Sequence, residues 1–145
     1  MKTDYGDILY IQDDGENYTT FIERFRSYFY LACDNNCVDL STYKTYNGGI
    51  PSTITSYFKD CIIVQDGMLY CFNRGGATRD LYIFVDVNGH KSPNRFGYDT
   101  FAFDWSIDNQ SVVPSVYWKS SDGGMGGIGR TQNAIYEKNY FKNLK

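Results

Sequence analysis

The chain has 145 residues, with 18% aromatic and 21% charged side chains, only three prolines and a net charge of −3. So aromatic a chain is not intrinsically disordered, collagen-like or a coiled coil, and its length suits one domain, residues 1–145. The longest basic cluster is a pair such as Arg24 and Arg26, which excludes a nucleic-acid surface built on counterion release, and no stretch approaches the ~20 apolar residues of a membrane span.

Residues 1–16 are polar, with Gly6, Asp13, Asp14 and Gly15, and read as a loop or frayed end. Thr20 and Glu23 have capping-box spacing. Phe21, Ile22, Phe25, Tyr28, Phe29 and Ala32 then share one helical face, which predicts an amphipathic helix from Tyr18 to Leu31. Residues 34–56 are rich in Asn, Asp, Ser, Thr and Gly, and are expected to form a long loop pinned by Cys33 and Cys37.

Cys61 to Cys71 reads as two strands joined by the three-residue loop Gln65-Asp66-Gly67, with Gly67 left-handed. That register sets Val64 against Met68 and Cys61 against Cys71. A two-residue loop would instead set Cys61 against Phe72. Leu81 to Val87 is a β-branched and aromatic run, expected as a central strand buried on both faces and ended by Asn88-Gly89. From Thr100 to Ile107 the residues alternate. Phe101, Phe103, Trp105 and Ile107 are expected to face the core, with Asp104 in solvent. Val112-Val113 and Val116 to Trp118 suggest a short strand broken at Pro114, 120–130 a Gly-rich loop, and Asn133 to Leu144 a short helix. The expected fold is α+β: an N-terminal helix packed on an antiparallel sheet of about four to five strands with long loops.

Four cysteines in a small domain favour disulfides and an oxidising compartment over free thiols. Zinc is disfavoured because the pairs are C-x3-C and C-x9-C with a single histidine, His90. The favoured pairing is Cys61–Cys71 with Cys33–Cys37, and the two other connectivities stay open. Gly124 to Gly129 spells G-x-G-x-x-G, but no strand precedes it and only 16 residues follow, so a dinucleotide site is rejected. His90 lacks a G-x-S-x-G partner, and Asp104 with Asp108 flank no evident cleft. No enzyme is expected. Asn17 and Asn109 head chance-level glycosylation sequons.

Asp86 to Asp99 is the most structured segment. Asp86, Asn88, Asn94 and Asp99 carry oxygens that could ring calcium, a hard cation that takes six to eight of them. The competing and favoured expectation is a structural loop. In it Asp86 and Asn88 accept bonds from the loop's own amides, and Gly89, Pro93 and Gly97 set its turns.

Val85-Asp86-Val87-Asn88-Gly89, Lys91, Pro93-Asn94, Gly97, Asp99 and Phe101-Ala102-Phe103 resemble the signature of bacterial type IV pilin-like and type II secretion pseudopilin-like proteins, the family with a prepilin-type cleavage/methylation leader. Looser likenesses are Asp4 to Ile8, the aromatic helix near Cys33 and Cys37, the Asp66-Gly67 turn, and Thr131 to Tyr140. Ser92 replaces the usual glycine and His90 varies. The resemblance implies a non-catalytic subunit of a pilus or secretion filament, whose partners are other pilin or pseudopilin subunits. It implies a membrane anchor through an N-terminal helix upstream of Met1, so that these residues are the head alone. It also implies a head outside the cytoplasmic membrane, where cysteines oxidise. The surplus tyrosines are then expected at subunit contacts or on the outer surface. The rival reading is a secreted carbohydrate- or surface-binding β domain with Tyr117 and Trp118 as its platform.

Overall fold

The computed structural model describes residues 15–33, 38–51, 58–74, 81–89, 91–106, 111–115 and 130–144. Two α-helices are present among them, α1 (Gly15–Ser27) and α2 (Arg130–Tyr136). The strands are β1 (Leu31–Cys33), β2 (Lys59–Val64), β3 (Leu69–Arg74), β4 (Leu81–Asp86), β5 (Thr100–Ser106) and β6 (Ser111–Pro114). They form one antiparallel meander in the order β1-β2-β3-β4-β5-β6. This corrects the α+β expectation. The molecule is a β-rich fold built on six strands, not four to five, and its helices are short.

The strongest local prediction forms as read. Val64 N donates to Met68 O at 3.0 Å, Gly67 N donates to Val64 O at 2.9 Å, and Gly67 has φ 90°. Asp66 Oδ1 accepts from Met68 N at 2.9 Å and closes the turn. Ile63 pairs with Leu69 and Ile62 with Tyr70. The register shifts between Lys59 and Ile62, where Asp60 has φ 44°, a bulge that bends the strand. Cys61 and Cys71 are bonded across this hairpin, with Cα atoms 4.0 Å apart.

Which face carries the main core could not be read from alternation. Cys61, Ile63, Leu69, Cys71, Tyr82, Phe84 and Ala102 share one face, and Tyr43, Phe58 and Phe96 close over it. Phe58 meets Phe84 edge-on at 4.8 Å between centroids, and Tyr43 meets Phe58 at 5.2 Å. From the supposed loop of 34–56, Tyr43 therefore supplies part of the lid of the core. Tyr43 in it is fully buried, just after the 3-10 turn Leu40–Thr42. Lys44 bridges in parallel to Arg95, with Lys44 N donating to Asn94 O at 2.8 Å and Phe96 N to Lys44 O at 3.0 Å.

β5 consequently faces the opposite way from its reading. Ala102 and Asp104 are buried, while Phe101, Phe103 and Trp105 are half-buried. Ala102 and Asp104 lie opposite Phe84 and Tyr82, on the face the lid covers. The Phe/Trp side gets only partial cover, from a smaller cluster in which Phe21 and Ile22 of α1 pack with Phe72 and Leu81, and Phe25, Ile83 and Trp105 lie against them.

The helix limits also differ. α1 starts at Gly15, so Thr20 and Glu23 lie inside it and form no cap. It ends at Ser27, where Tyr28 N and Phe29 N bond Phe25 O and Arg26 O, each at 3.2 Å. Leu31 and Ala32, expected in or on the helix, belong to β1, because the open edge of β2 takes Leu31 opposite Val64. β4 is central as expected, but Ile83 and Val85 are only half-buried. α2 begins at Arg130, ahead of its predicted start, and gives way to turns after Tyr136. The residues after β6 that were read as strand, 116–118, lie outside the described residues, as does the Gly-rich stretch.

Candidate functional site

The signature segment forms the β4–β5 connection, and its residues gather at one end of the sheet. Asp86 closes β4 with no exposed surface. Its Oδ2 accepts from the Tyr43 hydroxyl at 2.6 Å and its Oδ1 from Asn88 N at 3.1 Å. Asp99 sits just before β5. Its Oδ2 accepts from Asn94 N at 2.8 Å and from the Asn88 side-chain amide at 3.3 Å. Its Oδ1 accepts from Arg95 N at 2.6 Å and the Thr100 hydroxyl at 3.2 Å. Val87 N donates to Asp99 O at 3.0 Å, so the two carboxylate residues also clamp the backbone between them.

Asn94 is buried with φ 44°, a left-handed conformation that Asn tolerates better than most residues. Its side-chain amide donates to Lys91 O at 2.7 Å and Gly89 O at 3.1 Å, and its oxygen meets the Thr42 hydroxyl at 2.8 Å. Ser92-Pro93 is a cis peptide in the turn between them. Gly89 has φ 62°, and a Cβ there would lie 2.3 Å from Gly67 O of the β2–β3 turn. Gly97 has φ 80°, and its Cβ position is walled by the Tyr140 hydroxyl and Tyr46 Cδ2, both at 2.8 Å. The two glycines thus let two other parts of the chain pack directly on the loop backbone.

Burial pushes the Asp86 carboxyl up to about 6 and the nearby Asp99 charge adds to this, while the bonds from Tyr43, Asn88 N and Gly89 N oppose it. The same burial, with the Asp86 charge beside it, drives Tyr43 well above the ordinary tyrosine range. At neutral pH Tyr43 therefore keeps its proton and donates a hydrogen bond to Asp86.

This donor set does not suit calcium. Both oxygens of Asp86 and both of Asp99 already accept N–H or O–H bonds. The Asn94 oxygen meets Thr42, which leaves Asn88 Oδ1, a buried atom without a hydrogen-bond partner, as the one open oxygen of the four side chains. Six to eight oxygens are required. No group of three or more His, Cys, Asp or Glu able to hold a metal occurs among the described residues. The geometry is that of a self-bonded structural loop.

Other predicted residues fall elsewhere. Asp104 is buried rather than in solvent, and its Oδ1 has no hydrogen-bond partner. Cys33 is disulfide-bonded at the sheet edge, far in sequence from the loop, while Cys37 lies outside the described residues. So do His90, Asp108, Asn109, Tyr117 and Trp118. The side chain of Asn17 is likewise undescribed.

The residues that sequence reasoning missed come from far along the chain. Tyr43 and Asp86 are 43 positions apart, as are Gly97 and Tyr140, whose hydroxyl donates to Gly97 O at 2.7 Å. Thr131 Oγ1 accepts from Ala102 N at 2.8 Å, so α2 caps a backbone group of β5. Arg95 donates through Nε and Nη2 to Tyr46 O, the first at 2.8 Å. No short motif marks these partners, and the aromatic surplus pointed the other way, since the extra tyrosines were expected at subunit contacts or the outer surface while Tyr43 and Tyr140 are buried.

No family model, curated protein or solved structure matches this chain.

Proposed function

We propose that the chain is the head of a pilin-like or pseudopilin-like filament subunit, a non-catalytic protein that acts by assembly and surface contacts. The reading is supported chiefly by the signature from Val85 to Phe103, whose Asp, Asn and Gly positions are those used to lock the β4–β5 connection to itself. A segment whose polar groups bond inward serves as scaffold, and its described residues present no nucleophile–base pair. The bond between Cys61 and Cys71, with Cys33 also oxidised, suits a head outside the cytoplasmic membrane. The six-stranded fold is neutral toward the reading. No described helix is long and apolar enough to cross a membrane.

The deciding observation is the coding sequence upstream of Met1. It is expected to encode a short basic leader, a processing Gly-Phe and an apolar helix of about 20 residues that runs into this head. A gene that has neither leader nor apolar helix overturns the proposal. In cells carrying the native gene, antibody to the head is expected to label surface filaments or cross-link to a second pilin-like subunit.

A further inference from the structure

A second cluster lies on the outer side of the same loop. The Arg95 guanidinium stacks on the Tyr98 ring at 4.1 Å, and the Arg130 guanidinium stacks on the Tyr46 ring at 4.3 Å. The two rings pack on each other at 5.5 Å with a 44° tilt. The sequence Arg130, Tyr46, Tyr98, Arg95 is thus a ladder of two packed rings with a guanidinium at each end, drawn from three separate parts of the chain. Gly97 makes it possible, since its bare Cα lets Tyr46, Arg130 Cβ and the Tyr140 hydroxyl converge on one point. All four ladder side chains are half-exposed.

The ladder holds positive charge without neutralising it. Among the described residues, no ion pair joins Arg95 or Arg130 to a carboxylate. Arg95 uses two of its three guanidinium nitrogens on Tyr46 O. Arg130 lies over a ring face and, among the described residues, its N–H groups have no hydrogen-bond acceptor. The Arg130 charge acts on Tyr140, as do Tyr46 and Tyr98, so those groups lie close together; Glu137 opposes Arg130 there. In a chain of net charge −3, this is a local concentration of fixed donors.

We propose that this Arg–Tyr ladder binds a single oxoanion, a carboxylate, phosphate or sulfate group on a soluble ligand, with the Arg130 fork as its principal contact. A fork held over a ring has less rotamer freedom to lose and can offer two parallel N–H bonds, the geometry that planar oxoanions accept. Cation–ring stacking leaves the guanidinium edge available because the attraction acts through its face. A nucleic acid or an anionic membrane would need a wider basic surface than two arginines supply. The proposal does not depend on the filament reading.

The test follows the arginine Nε–Hε signals of the protein by NMR during titration with glucuronate, inorganic phosphate and sulfate. Sodium chloride at matched ionic strength is the control. At least one of the three is expected to shift the Arg130 signal saturably, with a Kd of roughly 1–10 mM for so few contacts. Arg130→Gln should weaken that binding at least tenfold, Arg130→Lys should fall between, and Arg24→Gln on the exposed side of α1 should leave it unchanged. Which anion shifts the signal identifies the source chemistry. Should Arg130→Gln lose its fold, the wild-type titration against chloride still decides. Shifts that never saturate, that chloride reproduces, or that Arg24→Gln reduces equally overturn the proposal.

Discussion

Asp86 carries a charge with no exposed surface, held by a tyrosine hydroxyl and backbone amides rather than by a cation. Its folded pKa of about 6 lies above the ordinary 3.8, so the folded state binds this proton more tightly than the unfolded one. Stability from this group is therefore highest in acid and falls as pH rises from about 4 to 6, by on the order of 3 kcal/mol. Asp86→Asn removes the titration while keeping an acceptor for Asn88 N. The difference between its denaturation free energy and that of the wild type is expected to change over this window and to be flat above pH 7, as measured by urea melts. Tyr43→Phe strips the charge of its strongest partner and should destabilise by about 1–3 kcal/mol at pH 7. Gly89→Ala places a Cβ on Gly67 O at a positive φ, and a loss of roughly 2–4 kcal/mol is expected in the same melts. Calcium added in excess should leave the melting temperature unchanged, since four of the five candidate carboxylate and Asn88 oxygens already accept bonds. A rise of several degrees would show a cation site.

At the level of elements, the β2–β3 hairpin was the most legible part. Its turn, register and cross-strand cysteines all depend on residues within eleven positions of one another, and local chemistry was enough to set them. Replacing Cys61 and Cys71 together with alanine is expected to cost about 2–3 kcal/mol, less than a long-range bridge would, because the bond closes a short loop, with a sequence separation of 10, and so restricts the unfolded chain less. β5 was read on the wrong face. Its alternation showed which residues travel together, but Phe101, Phe103 and Trp105 outweighed Ala102 and Asp104 in apolar area. The choice of face belonged to Tyr43, Phe58 and Phe96, which arrive from elsewhere. α1 shows the same limit. Its apolar stripe was legible, yet its last predicted turn was taken by the open edge of β2.

Across the whole molecule, two clusters on opposite faces of one meander differ in size. The larger joins the sheet to Val38, Leu40, Tyr43, Phe58 and Phe96, and the smaller joins it to α1. Hydrogen exchange is expected to be slowest in β3, β4 and β5 and faster by orders of magnitude in α1, because opening the helix leaves the main cluster intact. Phe21→Ala combined with Ile22→Ala should lower the melting temperature yet preserve the sheet signal in circular dichroism. A complete loss of that signal would show that the helix is required for the fold. The tyrosine surplus also resolves at this scale: Tyr43 and Tyr140 are buried donors, while Tyr28, Tyr30 and Tyr136 are exposed.

By itself the sequence determined strands β2 to β5, the hairpin register with its disulfide, and the inward-bonding character of the 86–99 loop, because each rests on side chains a few residues apart. Tertiary structure alone decided the six-stranded meander, the side of β5 that is buried, the meeting of Tyr43 with Asp86, and the ladder from Arg130 to Arg95. Each strand of the meander pairs with its neighbour in sequence, but the Tyr43–Asp86 contact and the Arg130–Tyr46 and Tyr46–Tyr98 steps join residues more than forty positions apart, and only the closing of the sheet under its lid brings them together.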